Sequence, residues 1–203
     1  MPLQEKLDAL PLRSRTPAAW AGSALADPLA LLVDHAYLEK KAANNAMDLM
    51  TRWPNEWVPG WVETLSAIAR DEAAHLAKVT RMLIARGGRL SRLHKNPYAN
   101  ELRLMVRRGQ EAESLDRLFV SALIEARSCE RFAVLAASCP DAELAAFYRA
   151  LFASEFGHYK VFLKLASKVA PARQWEPRWQ HMLDAEAEIL ARQEPGPRIH
   201  SGG

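Results

Sequence analysis

Apolar positions in this chain recur every three to four residues over long stretches, and no run alternates with period two for long enough to propose a strand. The pattern predicts an all-α protein. Asp27-Pro28 reads as a helix start, with an acceptor side chain at the N-cap and proline in the first turn. The helix then runs from Leu29 to about Thr51, with Leu32, Ala36, Ala43, Ala46 and Met50 on one stripe. A second helix, from about Trp61 to Ala85, carries Leu65, Ile68, Ala69, Leu76, Val79 and Leu83 and stops at Gly87-Gly88. The third spans about Glu111 to Ala137, with Leu118, Ala122, Cys129, Phe132 and Ala136 aligned. Pro140-Asp141 starts a fourth, which carries Tyr148, Leu151, Phe152, Tyr159, Phe162 and Leu163 before breaking near Pro171.

Shorter features fill the gaps. Residues 1 to 26 hold a short helix at most, with Thr16 as its N-cap and Pro17 in the first turn. Trp53, Pro54, Trp57, Pro59, Gly60 and Trp61 mark a turn that closes one end of the bundle with aromatic rings. A loop from Arg86 through Pro97 and a short helix from about Tyr98 to Arg108 make a long crossover between two helical hairpins. A terminal helix from about Trp175 to Arg192 packs outside, and the tail from Glu194 to Gly203 is expected to be disordered. The chain is thus expected to form one domain over 1–203, with its core bundle at about 27–170.

Every long stripe is interrupted by acid. Glu39 lies three residues after Ala36 and four before Ala43, so its carboxylate faces the core, where an unpartnered charge costs several kcal/mol. Glu72 with His75, and Glu155 with His158, are Glu-x-x-His pairs, and residues three apart share a helix face. Glu125 interrupts the third stripe; its rival Glu130, between Arg127 and Arg131, has a weaker apolar flank. Glu39 precedes Glu72 by 33 residues and Glu125 precedes Glu155 by 30, so the two hairpins repeat one arrangement. A lone Glu-x-x-His is common in helical proteins. Two copies with an extra glutamate each are what a carboxylate-bridged dinuclear site in a bundle requires. Four carboxylates and two neutral imidazoles balance two divalent cations, and the oxygen-rich set suits iron or manganese. Asp71 is placed to accept from the outer nitrogen of His158, the usual support for a ligating imidazole. His35, one turn before Glu39, reads as a hydrogen-bonded histidine beside the site rather than a ligand.

Composition narrows the setting. With 49% hydrophobic residues in 203, the chain suits a globular core. Its opening residues lack the apolar stretch of a signal peptide, and no segment approaches the length of a membrane span, so a cytoplasmic protein without membrane contact is expected. Cys129 and Cys139 lack metal-type spacing and are expected to be reduced. The net charge of +3 conceals a segregated pattern. Arg86, Arg89, Arg92, Lys95, Arg103, Arg107 and Arg108 face the single acid Glu101, leaving the rest of the chain mildly acidic. Such a segment either solvates a loop or contacts a polyanion, whose counterions it would release.

The stretches Asp-His-Ala-Tyr-Leu-Glu-Lys-Lys-Ala-Ala (34 to 43), Asp-Glu-Ala-Ala-His (71 to 75), Glu-Ala-Arg-Ser-Cys-Glu-Arg-Phe (125 to 132) and Ser-Glu-Phe-Gly-His (154 to 158) resemble the MiaE family. The likeness spans roughly residues 20 to 190, and the third-helix stretch is its most specific part. It implies a ferritin-like four-helix bundle with a long crossover and extra terminal helices. It also implies an O2-dependent diiron monooxygenase, fed by an external electron donor and an electron-transfer partner, that hydroxylates the isopentenyl group of 2-methylthio-isopentenyladenosine in tRNA. The resemblance implies that Glu39, Glu72, His75, Glu125, Glu155 and His158 ligate the two irons. The basic segment would then hold the anticodon stem-loop, with Tyr98 or a tryptophan of the 53 to 61 turn stacking on a base. An iron-storing ferritin, a rubrerythrin-type peroxidase and a manganese catalase share the ligand pattern and stay open at this point.

Overall fold

The computed structural model describes residues 3–54 and 56–203, which form α1 (Leu3–Asp8), α2 (Trp20–Ala24), α3 (Pro28–Met50), α4 (Trp61–Ala85), α5 (Pro97–Leu104), α6 (Gln110–Ser138), α7 (Ala142–Val169) and α8 (Ala172–Ala191). Local chemistry fixes their ends. The Asp27 side chain accepts from the Ala30 N–H at the head of α3, Asn96 from Ala99 for α5, and Asp141 from Leu144 for α7. At the foot of α4 the Gly87 N–H bonds the Ile84 carbonyl and the Gly88 N–H the Leu83 carbonyl. Gly87 holds φ at 77°, a left-handed turn that a β-carbon would strain.

The main packings are α3 against α4 and α6 against α7, the two hairpins anticipated from the repeat. Their interior is divided. One apolar cluster gathers Leu49, Trp61, Leu65, Leu118, Phe119 and Phe162 with α5 and α8. The other gathers Leu32, Ala36, Val79, Leu83, Phe132 and Tyr148 with the N-terminal segment. On α3 the first cluster holds Ala46 and Leu49 and the second Leu31 to Ala36, so Glu39 falls between them. On α4, Glu72 and His75 fall between Ala69 and Val79 in the same way. A polar layer therefore crosses the bundle between two apolar ends, and removing a large side chain from either end costs about 2–5 kcal/mol.

Helix α6 is buried on nearly all sides, because α5, α8 and the C-terminal segment cover the face turned away from α7. Most charge on that hidden face is paired, while Arg131 forms no ion pair among the described residues and lies over the Trp20 ring instead. Arg127 donates to both oxygens of Glu186 at 2.9 Å and to Glu130, and the Tyr98 hydroxyl donates to Glu186 at 2.9 Å. Both cysteines are free, and no helix among the described residues is long and apolar enough to cross a membrane.

Several expectations need correction. The N-terminal region contains two short helices rather than one, and Thr16 caps neither. Its hydroxyl and N–H both donate to Glu130, a long-range demand that overrides the local capping pattern. The short crossover helix stops at Leu104, because the Arg107 N–H turns away to donate to Asp116. The tail from Glu194 to Gly203 is not loose. Ile199 and Ser201 are fully buried, the Trp20 indole donates to the Ser201 hydroxyl at 2.9 Å, and Arg131 donates to the Ser201 carbonyl at 3.0 Å. Only Ile199 is large and apolar in that segment, so polar anchoring holds it where composition suggested none. Met1 and Pro2, which open the stretch read as lacking a signal-peptide core, and Asn55 in the tryptophan turn lie outside the described residues.

His200 pins the tail, with Nε2 3.0 Å from the Ser128 hydroxyl and its ring 4.7 Å from that of Tyr98. Burial, reinforced by Arg131 and Arg127, holds its imidazole well below the ordinary histidine range, so it stays neutral when folded. The unfolded chain takes up that proton as pH falls through about 6.5, while the folded chain does not, so stability drops from there toward the folded value. The urea midpoint should fall between pH 7 and pH 5, and His200→Gln should flatten that slope by up to about one proton. An unchanged slope in the variant would place the acid sensitivity elsewhere.

Candidate metal centre

Six side chains meet in the polar layer. Glu39 comes from α3, Glu72 and His75 from α4, Glu125 from α6, and Glu155 and His158 from α7, and all are buried. Their donor atoms form two overlapping groups, Glu39, Glu72, His75 and Glu155 in one and Glu72, Glu125, Glu155 and His158 in the other. Within each, all donors lie within 4.8 Å of one another. Glu72 and Glu155 belong to both. Each hairpin thus gives one shared glutamate, one unshared glutamate and one histidine. Glu130, the rival of Glu125, points to the opposite side of α6 and pairs with Arg127.

The donors suit metal better than one another. His75 Nδ1 lies 2.9 Å from Glu155 Oε1, and His158 Nδ1 lies 2.7 Å from Glu72 Oε1. Yet Glu72 Oε1, His75 Nδ1 and Glu155 Oε1 are buried without a properly directed hydrogen bond among the described residues. Close approach without hydrogen-bond direction is the arrangement of atoms that share a cation, and orphaned buried polar atoms are otherwise rare. Burial together with the Glu155 and Glu72 carboxylates holds Glu125 well above the ordinary range, and burial with Glu155 pushes Glu72 up to about 7. Burial works against His75 and His158, but the facing carboxylates outweigh it and push them up to about 12 and about 10. Glu155 is also opposed by burial and is lowered by contacts with His158 and His75.

Neighbouring groups orient the donors. His35 Nε2 lies 2.6 Å from Glu39 Oε1, as expected of a supporting histidine, although its Nδ1 is buried with no partner among the described residues. Phe132, Phe147 and Tyr148 pack around its ring. Asp71 Oδ2 is 3.8 Å from His158 Nε2, within ion-pair range but beyond a hydrogen bond, and its Oδ1 is engaged by Arg70 at 2.9 Å.

The slot between the donors is lined by Leu38, Ala42, Ile124 and Glu125, and the same four residues line a larger adjoining pocket. That pocket, about 580 Å³ of empty space with its mouth included, lies between α3, α5 and α6. Its wall is mostly apolar, and Lys41, Asn45, Asn100 and Arg103 supply polar groups.

The basic segment is less uniform than its composition. Arg86 donates at 2.8 Å to both Asp141 and Glu143, and Arg107 pairs with Asp116 at 2.9 Å, so those charges are committed internally. Arg89, Arg92, Lys95, Arg103 and Arg108 are exposed and form no ion pair among the described residues. Tyr98 is fully buried against Glu186 and cannot stack on a base, which corrects that expectation. Trp61 is buried likewise, its indole donating to the Leu49 carbonyl, while Trp53 and Trp57 form an exposed edge-to-face pair. Lys41 and His94 escaped the sequence reading: Lys41 lies off the apolar stripe and His94 sits in a loop, and neither position carries a periodic signal.

Buried glutamates and histidines converging from four helices of a two-hairpin bundle define a ferritin-like dimetal protein. The chain matches the family described as tRNA-(MS[2]IO[6]A)-hydroxylase (MiaE) over residues 3–201 and belongs to it. It is 37% identical over 202 residues to the tRNA 2-(methylsulfanyl)-N(6)-isopentenyladenosine(37) hydroxylase of Pseudomonas putida (strain KT2440), covering 100% of this chain and 97% of that one. The protein of the same name from Salmonella typhimurium (strain LT2) is 30% identical over 169 residues, 83% of this chain and 61% of that one. A solved structure titled "Protein 43 with aldehyde deformylating oxygenase activity from Synechococcus" superimposes with a TM-score of 0.88 at 36% identity, covering 95% of this chain and 96% of that one.

The shared and unshared glutamates make separable predictions. Metal-free protein should take up two divalent ions per chain under anaerobic ferrous or manganous titration, with a matching rise in Tm. Glu72→Ala or Glu155→Ala should abolish both equivalents, while Glu39→Ala or Glu125→Ala should leave about one. Retention of two ions by Glu155→Ala would refute the shared arrangement. Uptake should also release protons into a weak buffer and weaken as pH falls, because metal must displace the protons held by Glu72, Glu125 and the two imidazoles.

Proposed function

We propose that this chain is an O2-dependent dinuclear non-haem iron monooxygenase that hydroxylates the isopentenyl group of 2-methylthio-isopentenyladenosine in tRNA, next to the anticodon. Glu39, Glu72, His75, Glu125, Glu155 and His158 are its iron ligands in this reading. The observation that carries it is a buried carboxylate and imidazole cluster open on one side to an apolar pocket, in a chain of this family. The oxygen-rich donor set favours iron or manganese, and O2-dependent hydroxylation of an allylic methyl selects iron. Dinuclear iron, when bound, supplies the activation of O2 with two electrons from an external donor.

The chain's own residues do the rest. Leu38, Ala42, Ile124 and Phe162 hold the prenyl group against the slot and exclude water from it. Glu125 stands where slot and pocket meet, so it lies next to the carbon being oxidised. His35 fixes the Glu39 carboxylate, and a small rotation of Asp71 brings it within hydrogen-bond reach of the outer nitrogen of His158. The substrate adenosine is an unpaired loop nucleotide, which leaves its stack at lower cost than a paired one. Arg89, Arg92, Lys95 and Arg108 surround the crossover and contact the stem-loop phosphates. A cytoplasmic location and a separate electron-transfer partner follow from a tRNA substrate and an external donor.

The Synechococcus structure supports a second reading, deformylation of an aldehyde in the same pocket. The polar groups of Lys41, Asn100 and Arg103 favour a substrate with a charged or polar head over a plain aldehyde. Expression in cells whose tRNA bears the prenylated but unhydroxylated adenosine separates the two. Mass spectrometry of the hydrolysed tRNA should show the nucleoside gain one oxygen, and Glu72→Ala with Glu155→Ala should lower that conversion about a hundredfold or more. Unchanged nucleoside, with aldehyde consumed by the purified enzyme, would establish the second reading instead.

A further inference from the structure

Lys41 enters the pocket wall from α3, half-buried, on the side away from Glu39. Its ammonium lies 2.9 Å from His94 Nδ1. Lysine has no acceptor, so that nitrogen carries the lone pair and the ring proton sits on Nε2, which donates to Asp34 Oδ1 at 2.7 Å. Asp34 is itself buried, and its second oxygen accepts from the Ile199 N–H at 2.8 Å. The Tyr37 ring stacks on the imidazole with centroids 4.8 Å apart and planes 2° from parallel, while the Tyr37 hydroxyl donates to the Ser91 carbonyl. The imidazole is held at both edges and on one face, and its effect is to aim Lys41.

Neither Lys41 nor Arg103, which lines the same pocket from α5, forms an ion pair with a carboxylate among the described residues. The neighbouring Arg86 and Arg107 both do. Burial and the nearby Arg103 hold Lys41 below the ordinary lysine range, with Asp34 acting in the other direction. Two mutually repelling cations on one pocket gain stability when an anion lies between them. Beneath them Leu38, Val120, Ile124 and Phe162 form an apolar wall that ends at Glu125. The whole suits a ligand with an anionic head and an apolar arm.

We propose that Lys41 and Arg103 grip the backbone phosphate of the nucleotide whose prenyl group enters the pocket, and that Asp34 and His94 are positioning residues that aim Lys41 at it. The proposal rests on the tRNA reading above. It divides recognition in two: exposed arginines hold the stem without regard to the modified base, and the Lys41–Arg103 pair sets how deep that base reaches. It also gives the tail a role, since Ile199 fixes Asp34.

The test is binding of a labelled anticodon stem-loop bearing the thiomethylated, prenylated adenosine to the full metal-loaded chain, without reductant, over a range of salt. Lys41→Met and Arg103→Met should each weaken binding about five- to tenfold and lower the slope of log K against log salt by about 0.7, the loss of one single-strand phosphate contact. His94→Leu should reproduce most of the Lys41→Met loss and add little to it in the double variant, because it acts through Lys41. His94→Gln, which can accept from lysine and donate to aspartate, should retain most of the affinity and carries the test if His94→Leu folds poorly. A wild-type salt slope in Lys41→Met, or losses that multiply in the double variant, would overturn the proposal and leave the hydroxylase reading standing. Failure of the wild-type chain to bind the hairpin at all would remove both.

Discussion

Four carboxylates buried in the middle of a helical bundle are the constraint on which the rest of this structure depends. Glu39, Glu72, Glu125 and Glu155 are each no more than 6% exposed, and two of them are shared between the two donor groups. Removing a carboxylate from water costs several kcal/mol, and four together also repel one another. Only a large apolar core elsewhere can offset such a layer. The chain provides it as two clusters flanking the acids, so the helices are clamped above and below a region that by itself would push them apart.

The clamp alone would leave the helices free to rotate, and rotation is what a ligand cluster cannot tolerate. Helix α6 shows how this is prevented. Glu125 faces the cluster, and Glu130, five residues on, faces roughly the opposite way. There it joins Arg127, Thr16 and, through Arg127, Glu186 and Tyr98. A buried ion pair adds little net stability, but an unpaired member of one is costly, so any rotation that exposed Glu125 would strand these charges as well. The two acids of one helix are thus a member of the donor cluster and a brake.

The sequence made the first of these roles readable and hid the second. Glu39, Glu72, Glu125 and Glu155 stood out because each breaks an apolar stripe, and a stripe is a local, periodic signal. Helix starts at Asp27 and Asp141 and the stop at Gly87 were legible for the same reason. Glu186 and Thr16 gave no such signal, because their partners lie 59 and 114 residues away. The tail misled for a related reason: His200 and Ser201 are polar, and polar anchoring depends on where Trp20, Ser128 and Arg131 end up in space. Composition likewise counted Arg86 and Arg107 as free charge when the fold had assigned them Asp141, Glu143 and Asp116.

Helix α3 joins these strands. Asp34 and His35 are adjacent, about 100° apart around the helix, and they serve different sides of it. His35 holds Glu39 in the ligand cluster, while Asp34 holds His94 and, through it, Lys41 at the pocket mouth. Both are buried, and neither can move without the helix. The orientation of a carboxylate in the donor cluster and the aim of a cation in the pocket wall are therefore set by one rigid element. Asp34 also ties that element to the crossover loop through His94 and to the C-terminal segment through Ile199, two parts of the chain without helix. Ordering in those segments is thus a consequence of the site, since each supplies the partner that a buried group on α3 requires.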